Sequence, residues 1–278
     1  MALNTTNGAA ILRPEEVNAL LVQPVQTGSV AVQVSTLAST GSNAYRIPVV
    51  ETDPVAAFVD EGDEITPSDA VLDEANVVPS KVAGLTIVSR ELSEDTSPEA
   101  AAAVGAGLAR DIATRIDEAY FGDMAAPAPA GLGSITANSF NTGGTEWADV
   151  DPFVEAIFEA ENVGANLTAF VANPADALAL SQLKESTDSN KPLLQPDATL
   201  PTKRAIQGVP LYVSPHVTAG VVWGVPQARV HVVVRTDARI EADKSVYFTS
   251  DRVAVKGTMR VGFGFAHEAA VQKINLAA

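Results

Sequence analysis

The chain has 278 residues, 46% of them hydrophobic and only 5% aromatic, with no cysteine and a net charge of −16. That length holds one large domain or two small ones, with a core resting on Val, Ala, Leu and Ile. The missing cysteine excludes disulfides, thiolate metal sites and cysteine nucleophiles, and the acidity argues against a sequence-specific DNA binder, which carries a basic footprint.

Met1 to Asn7 has neither a basic region nor an apolar stretch, which argues against a secretory signal. Pro14 to Val22 predicts a short amphipathic helix, with Pro14 at its first position and Glu15 and Glu16 at its positive end. Residues 1 to 27 therefore read as an arm. Ser29 to Ser35 alternates with period two and predicts a strand. Tyr45 to Val50 predicts another, with Pro48 favouring an edge. Turn residues dominate from Glu51 to Val78, and residues 51 to 76 carry 9 carboxylates and no Lys or Arg. Val82 to Val88 returns as a strand. The two strands are expected to flank an excursion of roughly 30 residues as an extended hairpin arm, and loops that long are usually functional or mobile.

Ser97 to Phe121 predicts one long helix closed by Gly122. Its apolar stripe is Val104, Leu108, Ile112, Ile116 and Tyr120, each four apart. Arg110, Asp111, Arg115, Asp117 and Glu118 lie elsewhere on the wheel, and Gly105 and Gly107 are expected to admit a neighbouring backbone. Ala125 to Gly131 is a linker by composition, and Gly131 to Ser134 a linker turn. Beyond it the pattern alternates. Helices are predicted over 149 to 162 and over 173 to 184, the second capped by Asn173 with Pro174 following. Strands are predicted over 167 to 172, 209 to 213, 221 to 225 and 230 to 235, so 131 to 238 reads as a second, α/β lobe. The last segment predicts strands over Ser245–Thr249, Arg252–Lys256 and Arg260–Phe265 and from Ala269 to Ile274, with a turn at Gly257. These should return to the first lobe and cover the long helix, giving an α+β protein. No apolar run approaches the roughly 18 residues that cross a bilayer.

Catalytic signatures are missing. Gly105-Ala106-Gly107 begins like a dinucleotide fingerprint but lacks the third glycine and sits inside a helix. No Walker sequence, Gly-x-Ser-x-Gly elbow or His-Glu-x-x-His occurs. His216, His231 and His267 are far apart and read as structural. Asp149 and Asp151 lack the rest of a calcium loop and read as acids at a helix N-terminus. Trp147 and Trp223 read as core or interface anchors.

The charge is uneven. Residues 1 to 200 hold 8 basic and 29 acidic groups, whereas residues 201 to 278 hold 10 basic and 5 acidic. An ordinary solvated acidic surface is one reading. The other is that acidic front parts meet basic back parts of other copies, setting register and partner choice. Arg229, Arg235, Arg239, Lys244, Arg252, Lys256 and Arg260 are scattered, which suits pairing between subunits better than nonspecific phosphate contact.

The order of these pieces resembles the major capsid proteins of tailed double-stranded DNA phages, which have the HK97 fold. The resemblance is carried by Tyr45-Arg46-Ile47-Pro48, Val59 to Ile65, Pro79 to Leu85, Ile87 to Leu92, Ala106 to Ile112, Asp117 to Asp123, Val171 to Pro174, Gly208 to Ser214 and the closing strands. It implies an N-arm over 1–44, an E-loop hairpin over 45–90, a P-domain over 91–130 and 239–278 with a spine helix at about 97–122, and an A-domain over 131–238. It further implies a non-enzymatic, cofactor-free virion subunit, assembled in the host cytoplasm into hexamers and pentamers around DNA.

The candidate contacts between subunits are Arg46, Asp60, Glu61, Asp63, Glu64, Asp73, Glu74, Arg110, Arg115, Arg252, Lys256 and Arg260. A separate scaffolding protein is expected, because only about 27 residues precede the first predicted strand and relatives with a built-in scaffold carry a long N-terminal segment. A portal, decoration proteins and nonspecific contact with packaged DNA are implied as well, and a membrane is not. An acidic inner wall would release DNA more easily than a basic one. No lysine lies at the hairpin tip, Phe58 to Asp73, so covalent cross-linking of copies is not expected. An encapsulin-like compartment on the same fold, and an α/β enzyme with an unrecognised site, are the alternatives.

Overall fold

The computed structural model describes residues 23–60, 62, 64, 66–89, 98–186, 189–194, 204–236, 238–243 and 245–276. The helix expected over 14–22 lies outside them. The backbone is organised on one 24-residue helix, α3 (Pro98–Phe121). It follows two short helical segments, α1 (Gln23–Gly28) and α2 (Val30–Val34). Leu108, Ile112, Ile116 and Tyr120 of the expected stripe are all buried, each within a tenth of full exposure. This face packs on a five-stranded sheet built of β1 (Thr36–Thr40), β4 (Ser80–Ser89), β10 (Val230–Arg235), β11 (Arg239–Asp243) and β12 (Arg252–Phe265).

β12 is the spine of that sheet, and its 14 residues run unbroken through Gly257, where the sequence predicted a turn. Gly257 stands opposite Gly84 of β4 in the antiparallel register. A Cβ on either would collide with the Leu108 side chain, at 2.6 Å from Cδ2 in the case of Gly257. Glycines of the sheet thus admit the helix, while Gly105 lies outside the residues whose surroundings are described. A Cβ on Gly107 would meet only the end of Arg110, at 3.7 Å. Farther along, Gly262 and Gly264 alternate with Phe263 and Phe265, sending the two kinds to opposite faces. The phenylalanines reach Tyr120 of the helix, with ring centroids 5.1 and 6.2 Å away. The glycines leave room for Ile47 and Val77, whose methyls lie 2.6–2.8 Å from the positions of the missing Cβ atoms.

Four further expectations change. Residues 29–35 are not a strand; Val30–Val34 is a helical turn capped by Ser29. The alternation Val30, Val32, Val34 is overridden because Asp117 of α3 accepts hydrogen bonds from the Val30 and Ala31 amides, which a strand would turn apart. The strand begins at Thr36 instead. The strands expected over 45–50 and 82–88 do not pair with each other. β2 (Tyr45–Thr52) pairs with β3 (Val71–Val77), a strand hidden by its acidic and fully exposed distal part, while β4 joins β12. The strand expected over 245–249 is replaced by β11, and Val246 is exposed in the connecting turn. The proposed linker is also packed. Leu132 is fully buried, the Gly133 amide donates to the Gly122 carbonyl, and a Cβ on Gly131 would strike the last carbonyls of α3.

The second sheet has the order β5-β13-β9-β6-β8-β7, from β5 (Asn138–Asn141), β6 (Ala169–Ala172), β7 (Ala205–Ile206), β8 (Val209–Val213), β9 (Val221–Val225) and β13 (Gln272–Asn275). Helices α4 (Asp151–Asn162) and α5 (Pro174–Gln182) seal a second core with Phe153, Ala156, Phe170, Leu180 and Ile274. Asn173 caps α5 as expected, its side chain accepting from the Ala175 amide. The sheets do not divide at residue 238. β10 belongs to the first sheet and β13 to the second.

Candidate assembly surfaces

The β2–β3 ribbon is rooted and then bare. At its root, Ile47 and Val77 bury against Val233. At its far end the opposed pair Val50 and Leu72 is exposed, Leu72 at 71%, with Val71 beside it. In the excursion beyond, Val55 is exposed and Phe58 entirely so, at 110%. An isolated two-stranded ribbon is marginal in water, and apolar residues concentrated on one protruding element mark an interaction site. Arg46 and Glu74 pair across the ribbon at 3.2 Å, both well exposed, a contact worth about 0–1 kcal/mol. Asp73 turns back on its own strand, its carboxylate accepting from the Glu74 amide at 2.7 Å. Asp60 and Glu64 are exposed on the excursion. Glu61 and Asp63 lie outside the described residues.

A second surface lies on the face of the first sheet turned away from α3. β4 alternates there, with Lys81, Leu85 and Ile87 exposed, Leu85 at 61%. In register, Lys81 stands opposite Arg260 and Leu85 opposite Lys256. On β11, Arg239 stands opposite Thr258 and Glu241 opposite Lys256. Lys81, Arg239, Lys256 and Arg260 surround one depression with Glu241. The Lys256 ammonium donates to Glu241 at 2.6 Å. That bond and charge, with Arg239 and Lys81 behind them, hold the Glu241 carboxyl below the usual range. Arg252 is exposed at the start of β12, opposite Ser89.

The N-terminal segment is fastened to α3 by buried polar groups. Asp117 is 4% exposed and accepts from Ser29 Oγ at 2.5 Å and from the Val30 and Ala31 amides at 3.0 Å each. Burial pushes its carboxyl above the ordinary value, against the pull of those three bonds and of His216. Ser35 and the Tyr120 hydroxyl are 2.7 Å apart, and burial raises that hydroxyl well above the phenol range. Sequence reading put Asp117 on the polar side of the wheel; no signal in the helix alone shows that a second segment covers it. Of the other charged candidates on α3, Arg110 is exposed and Arg115 donates to Glu118 within the helix at 2.7 Å.

Among the described residues no three His, Asp or Glu side chains converge on a metal position. His216 approaches Glu118 at 3.7 Å, and burial holds His231 below its usual range. Trp147 is a core anchor, donating to the buried Asp176 at 2.9 Å, while Lys273 lies over the Trp223 ring. No described helix is long and apolar enough to cross a membrane.

This architecture is shared by known shell proteins. It matches the capsid of an empty GTA particle with a TM-score of 0.77 at 16% identity over 90% of each chain. Mycobacterium phage Adephagia matches at 0.73 and 16% identity, over 90% of this chain and 91% of that one. Microbacterium phage Oxtober96 matches at 0.73 and 18% identity over the same shares. No curated protein matches. The profile described as the phage capsid family matches residues 9–276. The chain therefore belongs to the phage capsid family and has the HK97 fold of tailed-phage major capsid proteins.

Proposed function

We propose that this capsid subunit assembles into hexamers and pentamers that close an icosahedral head around double-stranded DNA, in the host cytoplasm, with the β2–β3 ribbon bridging adjoining copies. The observation that carries this reading is the bare ribbon end. Among the described residues, Val50, Val55, Phe58 and Leu72 are exposed large apolar side chains. Closed symmetry repeats one modest contact many times, so weak surfaces suffice. In this reading 1–44 is the N-arm, 45–90 holds the E-loop, 91–130 and 239–278 form most of the P-domain, and 131–238 most of the A-domain. β10 and β13 are exchanged between those last two. A separate scaffolding protein, a portal and decoration proteins are the further partners this reading calls for.

The double variant Phe58→Asp/Leu72→Asp tests it. Burying one such side chain is worth about 2 kcal/mol, and each 1.4 kcal/mol is tenfold. The concentration needed for shells should therefore rise more than about tenfold per contact. Sedimentation and electron microscopy should show uniform round shells for the natural chain. The variant should give folded single subunits with unchanged circular dichroism. Shells at the natural yield would refute the bridging role. Nucleic-acid absorbance of natural particles separates a DNA head from a compartment with protein cargo.

Residues 51–76 supply no lysine, and Lys81 sits on β4 beyond the ribbon. Particles boiled in detergent should accordingly run as one 28.8 kDa band; a ladder of linked subunits would show otherwise.

A further inference from the structure

We propose that the free edge of β4 is a two-fold seam, at which a second copy of this chain adds its own β4 antiparallel with Leu85 facing Leu85. The two five-stranded sheets then run on as one. The seam rests on the capsid reading for the crowding of copies, and it is a contact separate from the ribbon.

Edge strands are normally defended. Proteins shorten them, break them with proline or a bulge, or line them with charge. β2 carries Pro48 and a register shift between Val50 and Thr52. β1 has only five residues. β4 has none of these defences beyond Lys81, its one charged residue. It runs ten residues in unbroken register with β12 and contains no proline. Among the described residues β12 is its only strand partner. Every second residue of β4 therefore directs its N–H and C=O away from the sheet.

The strand is also self-complementary. Read about Leu85, Gly84 answers Thr86, Ala83 answers Ile87 and Val82 answers Val88. Ala83, Leu85 and Ile87 are exposed on the face away from α3, Leu85 at 61% and Ile87 at 42%. An antiparallel pair centred on Leu85 sets the two Leu85 side chains together and each Ile87 against Ala83 of the second copy. Its axis stands normal to the sheet, so both α3 helices stay on one side. The two Lys81 groups then lie eight residues apart along the seam, about 27 Å. That is well beyond the roughly 8 Å over which charge acts in physiological salt. Centring the pair on Ala83 halves this spacing and sets Ile87 against Pro79, outside the strand. Centring it on Ile87 sets Ala83 against Glu91, past the other end. One register thus suits both charge and apolar contact, and the interface it makes is isologous and closes on itself.

The test uses cysteine variants of the full chain, which has no natural cysteine. Opposed Cα atoms in an antiparallel pair are about 4.5–5.5 Å apart, within the roughly 4.4–6.8 Å that a disulfide spans. Assembled Leu85→Cys shells treated with a mild thiol oxidant should run mostly as linked pairs on a non-reducing gel. Ile87→Cys places its two thiols four residues out of step, about 13 Å, and should leave fewer than about a tenth of subunits linked. Ala83→Cys/Ile87→Cys should link again. Leu85→Cys subunits that stay single would overturn the seam. So would linkage of Ile87→Cys as complete as that of Leu85→Cys, or a double variant that does not link. Shell formation is scored separately by sedimentation, so shells of unlinked Leu85→Cys subunits defeat the seam and leave the capsid reading standing.

Discussion

Gly257→Val is expected to lower the stability of the subunit by about 3 kcal/mol, the scale at which overpacking a closed core is felt. Gly257 and Gly84 face each other across the β12–β4 ladder, and the Leu108 side chain fills the space above both. Leu108 is itself nearly buried, with Ile112 one turn on and 1% exposed. The clash should be specific to one partner. Leu108→Ala alone opens a cavity and should cost about 2–4 kcal/mol. Gly257→Ala alone should cost about 1–2 kcal/mol through the same contact. Combined, they should cost well below their sum, because the new methyl occupies vacated space. Denaturant melts of the four proteins measure this coupling, and strict additivity would show that Leu108 does not govern the helix–sheet spacing.

Asp117→Ala should cost about 3 kcal/mol, or roughly 6–12 °C in melting temperature for a chain of this size. The change strands two amides and the Ser29 hydroxyl in a buried site, and the helical turn at 30–34 then loses what favours it over a strand. The pH dependence has a definite sign. The folded carboxyl is raised above its ordinary 3.8, so the folded state favours the protonated form. The stability it contributes is fully present below pH 3.8 and is lost as pH climbs through the raised value. Asp117→Asn cannot ionise. Its deficit relative to the natural chain should be largest in acid and shrink toward neutrality. Paired melts from pH 3.5 to 7 check this, and a deficit that grows with pH would contradict it.

Where local pattern and burial agree, the sequence was readable. The stripe of α3, with members four residues apart, needed only one buried face and is buried at Leu108, Ile112, Ile116 and Tyr120, Val104 lying outside the described side chains, and Asn173-Pro174 started α5 by chemistry internal to the motif. Errors arose where a distant segment decided the outcome. Val30-Ala31-Val32 alternates like a strand but is turned by Asp117, 86 residues away from Ala31. β3 lacks alternation because both faces of its outer half are exposed, so only its partner β2 defines it. Gly257 carries the composition of a turn, and only the helix above it reveals a packing role. The candidate surface was legible in part. Lys256 and Arg260 were named from charge alone, yet Lys81 joins them only through the β4–β12 register. Arg46 and Arg115 each have a carboxylate partner within the chain, Glu74 and Glu118.

The exchange of β10 and β13 between the sheets has a mechanical meaning. The backbone crosses from one sheet to the other three times, after α3, after β9 and after β12. Prising the two sheets apart would strain three covalent tethers in parallel. Under outward load the first ruptures should then open along seams between molecules, and each torn fragment should be a whole number of intact subunits.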